Sequence, residues 1–255
     1  MKKKIYIVGV VIGSVLLAVS GYQVFHHYAE AKKHTGEFDK LAEIVEQTEE
    51  NTREEDTKTE SQDPLNQYQQ LFNQNNDMVG WIAIDGTKIQ YPVMYTPDNP
   101  DFYLKHSFEK EYSSYGVPYI AEHCDPAEPS DNVIIYGHHM KDGTMFTGLM
   151  DYTDKKFYEE HKTIQFDTLT EQAEYEVVAV FKTTVYDKKG FKYYEFANAE
   201  KLEDFERYVS ECKALSLYDT GVSAAYGDKL ITLSTCEYSA PNGRLVVVAK
   251  KVVGQ

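Results

Sequence analysis

Residues 229–253 read KLITLSTCEYSAPNGRLVVVAKKVV, and this stretch decides the fold. It holds two runs of apolar and β-branched residues, 229–235 and 244–253, on either side of a loop of small and polar residues. Runs of this kind are typical of strands that are buried in a sheet. If the two strands pair across the loop, Arg244 returns beside Cys236 at the end of the first strand.

The rest of the chain contains six more strand candidates. Residues 79–85 and 88–93 flank an Asp-Gly turn, a pattern that indicates a hairpin. The other candidates are 117–121, 132–136, 163–166 and 173–186. Eight strands are enough to close a small barrel. The sequence therefore predicts a mainly β fold built on an eight-stranded β-barrel.

Two helices are predicted beside this barrel. Asp63-Pro64 resembles a helix start, and apolar residues follow it at helical spacing: Leu65, Tyr68, Leu71 and Phe72. A second helix is predicted over 200–213, before the last two strands, with an apolar stripe made of Leu202, Phe205, Tyr208, Val209 and Cys212. Because Cys212 lies on this core-facing stripe, we expect it to have a structural role.

Composition and charge exclude several classes of protein. The 255 residues carry 26 Lys+Arg against 41 Asp+Glu, a formal net charge of −15, which disfavours binding to nucleic acid phosphates. Three cysteines are too few for a disulfide framework, and 42% hydrophobic residues are sufficient for a core. No zinc-type His/Cys spacing or EF-hand-like run is present in the sequence, so neither a metal nor a cofactor is expected.

The N-terminal segment has the pattern of a membrane anchor. Three lysines at 2–4 precede 5–25, which contains no formally charged residue. Such a run has the length of ~20 residues that an apolar helix needs to span a bilayer. The pattern predicts a cytoplasmic tail at 1–4, a signal anchor at 5–25 and the rest of the chain outside the cell. A cleaved signal peptide, cut after the small-residue triplet 18–20, stays open as the alternative.

Between the anchor and the barrel, residues 26–62 are predicted to form an extracellular acidic linker. Apolar positions over 38–45 indicate a short helix within it. Residues 47–62 lack apolar side chains and are dense in Glu and Thr, so this part is expected to be solvated and flexible. The main domain then spans 63–255.

Three residues are candidates for chemistry. Cys236 stands where a strand opens into a loop, a rigid but accessible position that suits a nucleophile. Arg244 would offer a guanidinium to a substrate carbonyl or oxyanion. Of the eight histidines only His138 and His139 follow an apolar strand in the same way. Neighbours on a strand point to opposite faces, so one of the two would face Cys236.

A non-catalytic interpretation of these residues is still open at this point. In it Cys236 packs in the core, the two histidines are solvated, and Arg244 forms a surface ion pair with an acidic neighbour such as Glu237. A different Cys/His pair, at 123–124, is disfavoured because adjacent residues on a strand point apart.

The same residues resemble a known family. The run 232–236 followed by Arg244, with Gly137-His138 about 98 residues upstream of the cysteine, resembles sortases, the cysteine transpeptidases of Gram-positive-type cell envelopes. The segment 136–146 and the helix inserted at 200–213 resemble class B members in particular.

This resemblance covers 63–253 and implies an eight-stranded β-barrel. It implies Cys236 as the nucleophile, His138 as the general acid/base, and Arg244 as the ligand of the oxyanion or substrate carbonyl. Four further residues are implied to bind substrate: Ser234, Glu237, Tyr193 and Tyr194. Some class B members have Asp two residues after the catalytic cysteine, where this chain has Tyr238, so no role is carried over to that position.

The implied activity is cleavage of a sorting signal near the C-terminus of exported proteins, through a thioacyl intermediate. Transfer to an amine of a peptidoglycan precursor or cross-bridge follows. The expected partners are these exported proteins and the peptidoglycan amine, with no nucleic acid, and the catalytic domain is expected outside a cell membrane that the N-terminus spans. A pilin-polymerising sortase and a non-catalytic surface adhesin are the alternatives.

Overall fold

The computed structural model describes residues 2–55, 64–128, 130–186 and 190–252, and within them eight strands close a barrel. The strands are β1 (Met78–Ala83), β2 (Gln90–Met94), β3 (Tyr119–Ile120), β4 (Asn132–Tyr136), β5 (Thr163–Thr168), β6 (Glu174–Thr184), β7 (Leu230–Glu237) and β8 (Gly243–Lys251). Their order around the barrel is β1-β2-β3-β4-β7-β8-β6-β5. The mainly β, eight-stranded barrel expected from the sequence is confirmed.

Of the helices in the structure, α2 and α4 correspond to the two that the sequence predicted beside the barrel. They are α1 (Lys2–Glu55), α2 (Pro64–Gln74), α3 (Lys155–Glu160) and α4 (Leu202–Leu215), with 3₁₀ turns at Phe102–Leu104, Phe146–Thr153 and Tyr193–Glu195. The helix α4 precedes the last two strands, and Cys212 lies on its buried face. Leu202, expected on the same stripe, is instead exposed, because the helix begins at this residue.

Strand pairing brings distant parts of the chain to one edge of the sheet. The strand β4 runs parallel to β7, with Tyr136 opposite Ser234. The strand β8 runs antiparallel to β7, with Arg244 opposite Cys236. The end of β4, the end of β7 and the start of β8 therefore lie side by side.

A buried polar network joins α4 to the β4–β7 pair. The Thr232 hydroxyl donates to Asn132 Oδ1 (2.7 Å) and shares a 2.9 Å hydrogen bond with the Tyr208 hydroxyl. Asn132 Nδ2 donates to the Phe196 carbonyl (2.8 Å). Since an unpaired polar group in a core costs about 1–3 kcal/mol, these bonds favour one arrangement of the three elements.

The N-terminal part, where an anchor and a linker are predicted, forms a long helix. One helix, α1, continues through residue 55, although 47–55 contains no apolar side chain; Glu, Gln, Lys and Arg are themselves good helix formers. Residues 56–63, the rest of the predicted linker and the predicted start of the domain, lie outside the described residues. The chain forms two compact units, 1–40 and 41–255.

The predicted spanning segment at 5–25 lies within α1. Among the described residues, no helix combines the length and the apolar character needed to cross a membrane.

The buried Asp167 gives a test of how α2 is held on the barrel. The Tyr68 hydroxyl donates to Asp167 Oδ2 at 2.6 Å, and both side chains are fully buried. A hydrogen bond to a buried carboxylate contributes about 1.5–3 kcal/mol, so we expect Tyr68→Phe to lower the free energy of unfolding by about that amount. Urea denaturation measures it, with the exposed Gln70→Ala on the same helix as control. Equal stabilities of the two variants would contradict this account.

Candidate active site

The three cysteines differ in accessibility. Cys124 and Cys212 are buried, whereas Cys236 is partly exposed. Burial raises the pKa of the Cys124 thiol to about 11 and that of Cys212 well above its ordinary value. Because the thiolate is the nucleophile, both buried groups are held in the unreactive form at neutral pH. Cys236 is thus the one cysteine in a position to react with a ligand.

His138 reaches the same edge through the β4–β7 ladder. The Gly137 N–H donates to the Ser234 carbonyl (3.1 Å), which extends the parallel pairing one residue beyond β4. The next residue, His138, then comes level with Cys236 on the neighbouring strand. Gly137 is required at this bend, because a Cβ there would lie 2.5 Å from the Phe146 ring.

The two neighbouring histidines have different environments. His138 lines the cleft in front of Cys236, and its Nε2 is 2.8 Å from the Leu104 carbonyl. His139 instead places Nδ1 at 2.9 Å from the Cys236 carbonyl. The Tyr238 hydroxyl donates to the His139 carbonyl (3.2 Å), with the two rings 5.0 Å apart. His139 therefore contacts the backbone of the nucleophile, and His138 is the one on the cleft side.

Arg244 lines the cleft beside Cys236, its partner across the β7–β8 ladder. One guanidinium nitrogen, Nη1, donates to the Gly243 carbonyl (2.9 Å). Glu237, offered as an example of an acidic partner for Arg244 in the non-catalytic interpretation, instead pairs its carboxylate with Lys182 on β6 at 3.1 Å. The Arg244 guanidinium thus lies at the cleft, where it can reach the carbonyl oxygen of a bound ligand.

These residues share a cleft of about 350 Å³. Of the four predicted substrate-binding residues, Ser234, Tyr193 and Tyr194 line it, and the hydroxyls of Ser234 and Tyr193 share a 2.7 Å hydrogen bond. Burial raises the pKa of Tyr193 to about 12, so its phenol stays protonated at neutral pH. Thr235 also lines the cleft, and its buried hydroxyl has no partner among the described residues.

Glu237 does not belong to the lining. Its side chain is almost fully buried, and hydrogen bonds from Ser239 together with the Lys182 ammonium hold the pKa of the carboxyl below its usual range. Being adjacent to Cys236 on a strand, it points to the other face, where β6 supplies its cation. Glu237 thus forms an ion pair with Lys182, and its role in substrate binding stays a prediction.

The opposite wall of the cleft comes from a region in which the sequence predicted a strand, 117–121, but no site residue. It is built by the segment 101–122, of which Asp101, Leu104, Tyr119 and Glu122 line the cleft. The Tyr119 hydroxyl donates to Asp101 Oδ1 at 2.6 Å. Only the tertiary pairing of β3 with β4 brings this segment opposite Cys236, so spacing along the chain could not reveal it.

The structure offers no site for a metal in the part of the chain it describes: no group of three or more His, Cys, Asp or Glu side chains is suitably placed there. The fold and the site instead define a closed β-barrel with a thiol, an imidazole and a guanidinium around one cleft.

Comparisons with known proteins identify the family. A model of the sortase domain matches residues 82–252, and the chain belongs to the sortase family. It is 32% identical to sortase B of Staphylococcus aureus, covering 98% of this chain and 97% of that protein, and 38% identical to sortase B of Listeria monocytogenes over 76% of each. These relatives place the chain in class B.

Solved structures agree with this classification. A sortase B–substrate complex from S. aureus superposes with a TM-score of 0.77 at 32% identity, covering 88% of this chain and 98% of that one. Sortase B of Clostridium perfringens gives a TM-score of 0.66 at 31% identity, covering 72% and 99%. The barrel and the order of its elements are accordingly those of sortase B.

The different settings of the two histidines lead to a prediction. We expect His138→Ala to lower peptide cleavage by about 10²–10⁴-fold, the usual contribution of a general acid–base group. His139→Ala removes a contact to the Cys236 backbone and the packing on Tyr238, so the loss of cleavage should be at least ten times smaller. Steady-state cleavage of a fluorogenic peptide measures both, and circular dichroism checks the fold. Equal losses, or a larger loss for His139→Ala, would contradict the assignment.

Proposed function

We propose that this protein is a cysteine transpeptidase that cleaves a sorting signal near the C-terminus of exported proteins and joins the product to a peptidoglycan amine. The observation that carries the proposal is the pairing of Cys236 with Arg244 across two strands, with His138 at the end of the adjacent parallel strand. Membership of the sortase family supports the reaction type.

The first half-reaction forms a thioester. The Cys236 thiolate attacks the carbonyl carbon of the scissile peptide bond, and a C–S bond forms. The tetrahedral intermediate then collapses, and the C–N bond electrons go to the leaving nitrogen, which takes a proton from the His138 imidazolium. The N-terminal part of the substrate stays on Cys236 as a thioacyl group.

The second half-reaction transfers this acyl group to an amine. The neutral His138 ring accepts a proton from the attacking amino group while the new C–N bond forms and the C–S bond breaks. One of the similar solved structures is a sortase B complexed with triglycine, which supports an N-terminal glycine amine as an acceptor to test here.

Arg244 is proposed to stabilise the oxyanion that both half-reactions develop. A guanidinium fixed by its own strand offers donors with a set geometry, and such donors act most strongly where charge develops in the transition state.

The proposed place of action is the cell envelope, as the sortase family implies. An anchor at 5–25 stays a prediction from the sequence. Transfer to a pilin lysine rather than to a peptidoglycan amine differs only in the acceptor, so the acceptor arm of the experiment below separates the two activities.

The function is tested by trapping the acyl-enzyme. We expect incubation with sorting-signal peptides to give a mass increase on Cys236, and added triglycine, a glycine-bridged muropeptide or a lysine peptide to release the product as an amide. Cys236→Ala should abolish the adduct and turnover, whereas Cys124→Ala, a change at a buried thiol, should retain both. An adduct on another cysteine, or none with any peptide, would contradict the proposal and favour a non-catalytic adhesin.

A second prediction separates charge from geometry at Arg244. If Arg244 positions an oxyanion, Arg244→Lys should be nearly as harmful as Arg244→Ala, each lowering turnover by about 10²-fold or more with a smaller effect on peptide affinity. If only positive charge matters, Lys should restore most of the turnover. Arg207 on α4 pairs with Asp204 at the surface, so the matched changes Arg207→Lys and Arg207→Ala serve as controls. Near-normal turnover of Arg244→Ala would remove Arg244 from the catalytic set.

A further inference from the structure

A short segment of backbone, 103–105, lies beside the His138 ring. The N–H groups of the neighbouring segment 113–117 donate to its two outer carbonyls, those of Tyr103 (3.0 Å) and Lys105 (2.9 Å). The middle carbonyl, that of Leu104, faces His138 instead and lies 2.8 Å from its Nε2. The segment thus presents one carbonyl to the catalytic imidazole.

The position of this carbonyl is fixed from several sides. The Tyr103 ring is fully buried, and its hydroxyl donates to Asp77 (2.8 Å) and accepts from Asn75 Nδ2 (2.7 Å). A 3₁₀ turn at Phe102–Leu104 carries the chain from there to the cleft. An acceptor held in this way can orient a side chain as a neighbouring carboxylate would.

The chemistry of the contact determines the proton on His138. A carbonyl oxygen has no proton to donate, so the hydrogen bond requires that Nε2 carry one. In the neutral ring the other nitrogen, Nδ1, then has the free lone pair. The partner of one ring nitrogen sets the tautomer at the other.

We propose that the Leu104 carbonyl holds His138 in the Nε2–H tautomer, that protons exchanged in catalysis pass through Nδ1, and that Gly116 is the positioning residue that permits this contact. The catalytic part rests on the function proposed above. When the imidazolium protonates the leaving nitrogen, Nδ1 gives up its proton and the ring returns to the neutral Nε2–H form. In the second half-reaction Nδ1 takes the proton from the attacking amine.

Gly116 permits the contact because it has no side chain. It has a positive φ of 61°, and a Cβ built on it would lie 2.4 Å from the Tyr103 carbonyl oxygen and 2.8 Å from that of Leu104. Both approaches are too close for real atoms, and both partners are backbone, which cannot rotate away. Any side chain at 116 must therefore displace the carbonyl that orients His138.

A glycine elsewhere provides the matched control. Gly221 also has a positive φ, 74°, but no atom lies within 4 Å of a Cβ built on it. Gly116→Ala and Gly221→Ala both place alanine in the left-handed region at a similar cost in stability, whereas only the first disturbs the Leu104 carbonyl. The difference between the two variants isolates the contact to His138.

The tautomer itself is measured on the native protein. Long-range proton–nitrogen correlation spectra of the full chain, with isotope-labelled histidine, distinguish a protonated from an unprotonated ring nitrogen, and His138→Gln assigns the signals. We expect protonated Nε2 and unprotonated Nδ1 in the neutral ring of the native protein. The opposite tautomer would overturn the proposal whether or not the Gly116 variant folds.

The role of Gly116 is measured on the two alanine variants. In Gly116→Ala we expect a mixture of tautomers and a fall in kcat of about 10-fold or more, below the full acid–base contribution, with KM little changed. Gly221→Ala should keep the native spectrum and stay within about twofold in kcat. An unchanged spectrum with full kcat in Gly116→Ala would overturn the positioning role. A native Nε2–H spectrum without turnover of any peptide would instead contradict the proposed function.

Discussion

The parallel pairing of β4 with β7 is the constraint on which the site depends. Side chains alternate between the two faces of a sheet. A shift of one residue in this ladder would therefore place His138 on the opposite face of the sheet from Cys236. The antiparallel pairing of β8 imposes the same condition on Arg244 and Cys236. Two registers must therefore be correct at once for thiol, imidazole and guanidinium to share a cleft.

The buried network at the other end of β4 gives this register an energetic basis. Thr232, which lies opposite Ile134, donates to Asn132, and Tyr208 from α4 completes the set. A shifted strand would leave an amide and two hydroxyls buried without partners, whereas an apolar contact alone would tolerate the shift more easily. The inserted helix thus specifies the alignment of the strands that carry the site, as well as covering the barrel.

How much could be predicted from the sequence depends on how local each interaction is. The last two strands, β7 and β8, and the Cys236–Arg244 pair between them can be predicted from a stretch of 25 residues, 229–253. Their place after an apolar strand singled out His138 and His139, but only the family resemblance chose His138, because a parallel pairing across almost 100 residues leaves no mark in spacing. The ion pair of Glu237 could not be predicted for a related reason. Its partner Lys182 lies on β6, and only the order of strands around the barrel brings β6 near β7. The role of the Leu104 carbonyl could not be predicted from the sequence, because every residue has a backbone carbonyl.

Both histidines at the site are oriented by backbone rather than by acidic side chains. His138 contacts the Leu104 carbonyl and His139 that of Cys236, while Tyr238, where some class B members have Asp, packs on His139. The His138 ring therefore has an acceptor from the backbone in this chain. A neutral acceptor orients the ring but adds no formal charge beside it. Orientation in this chain comes from the fold, and the fixed positive charge beside the thiol comes from Arg244.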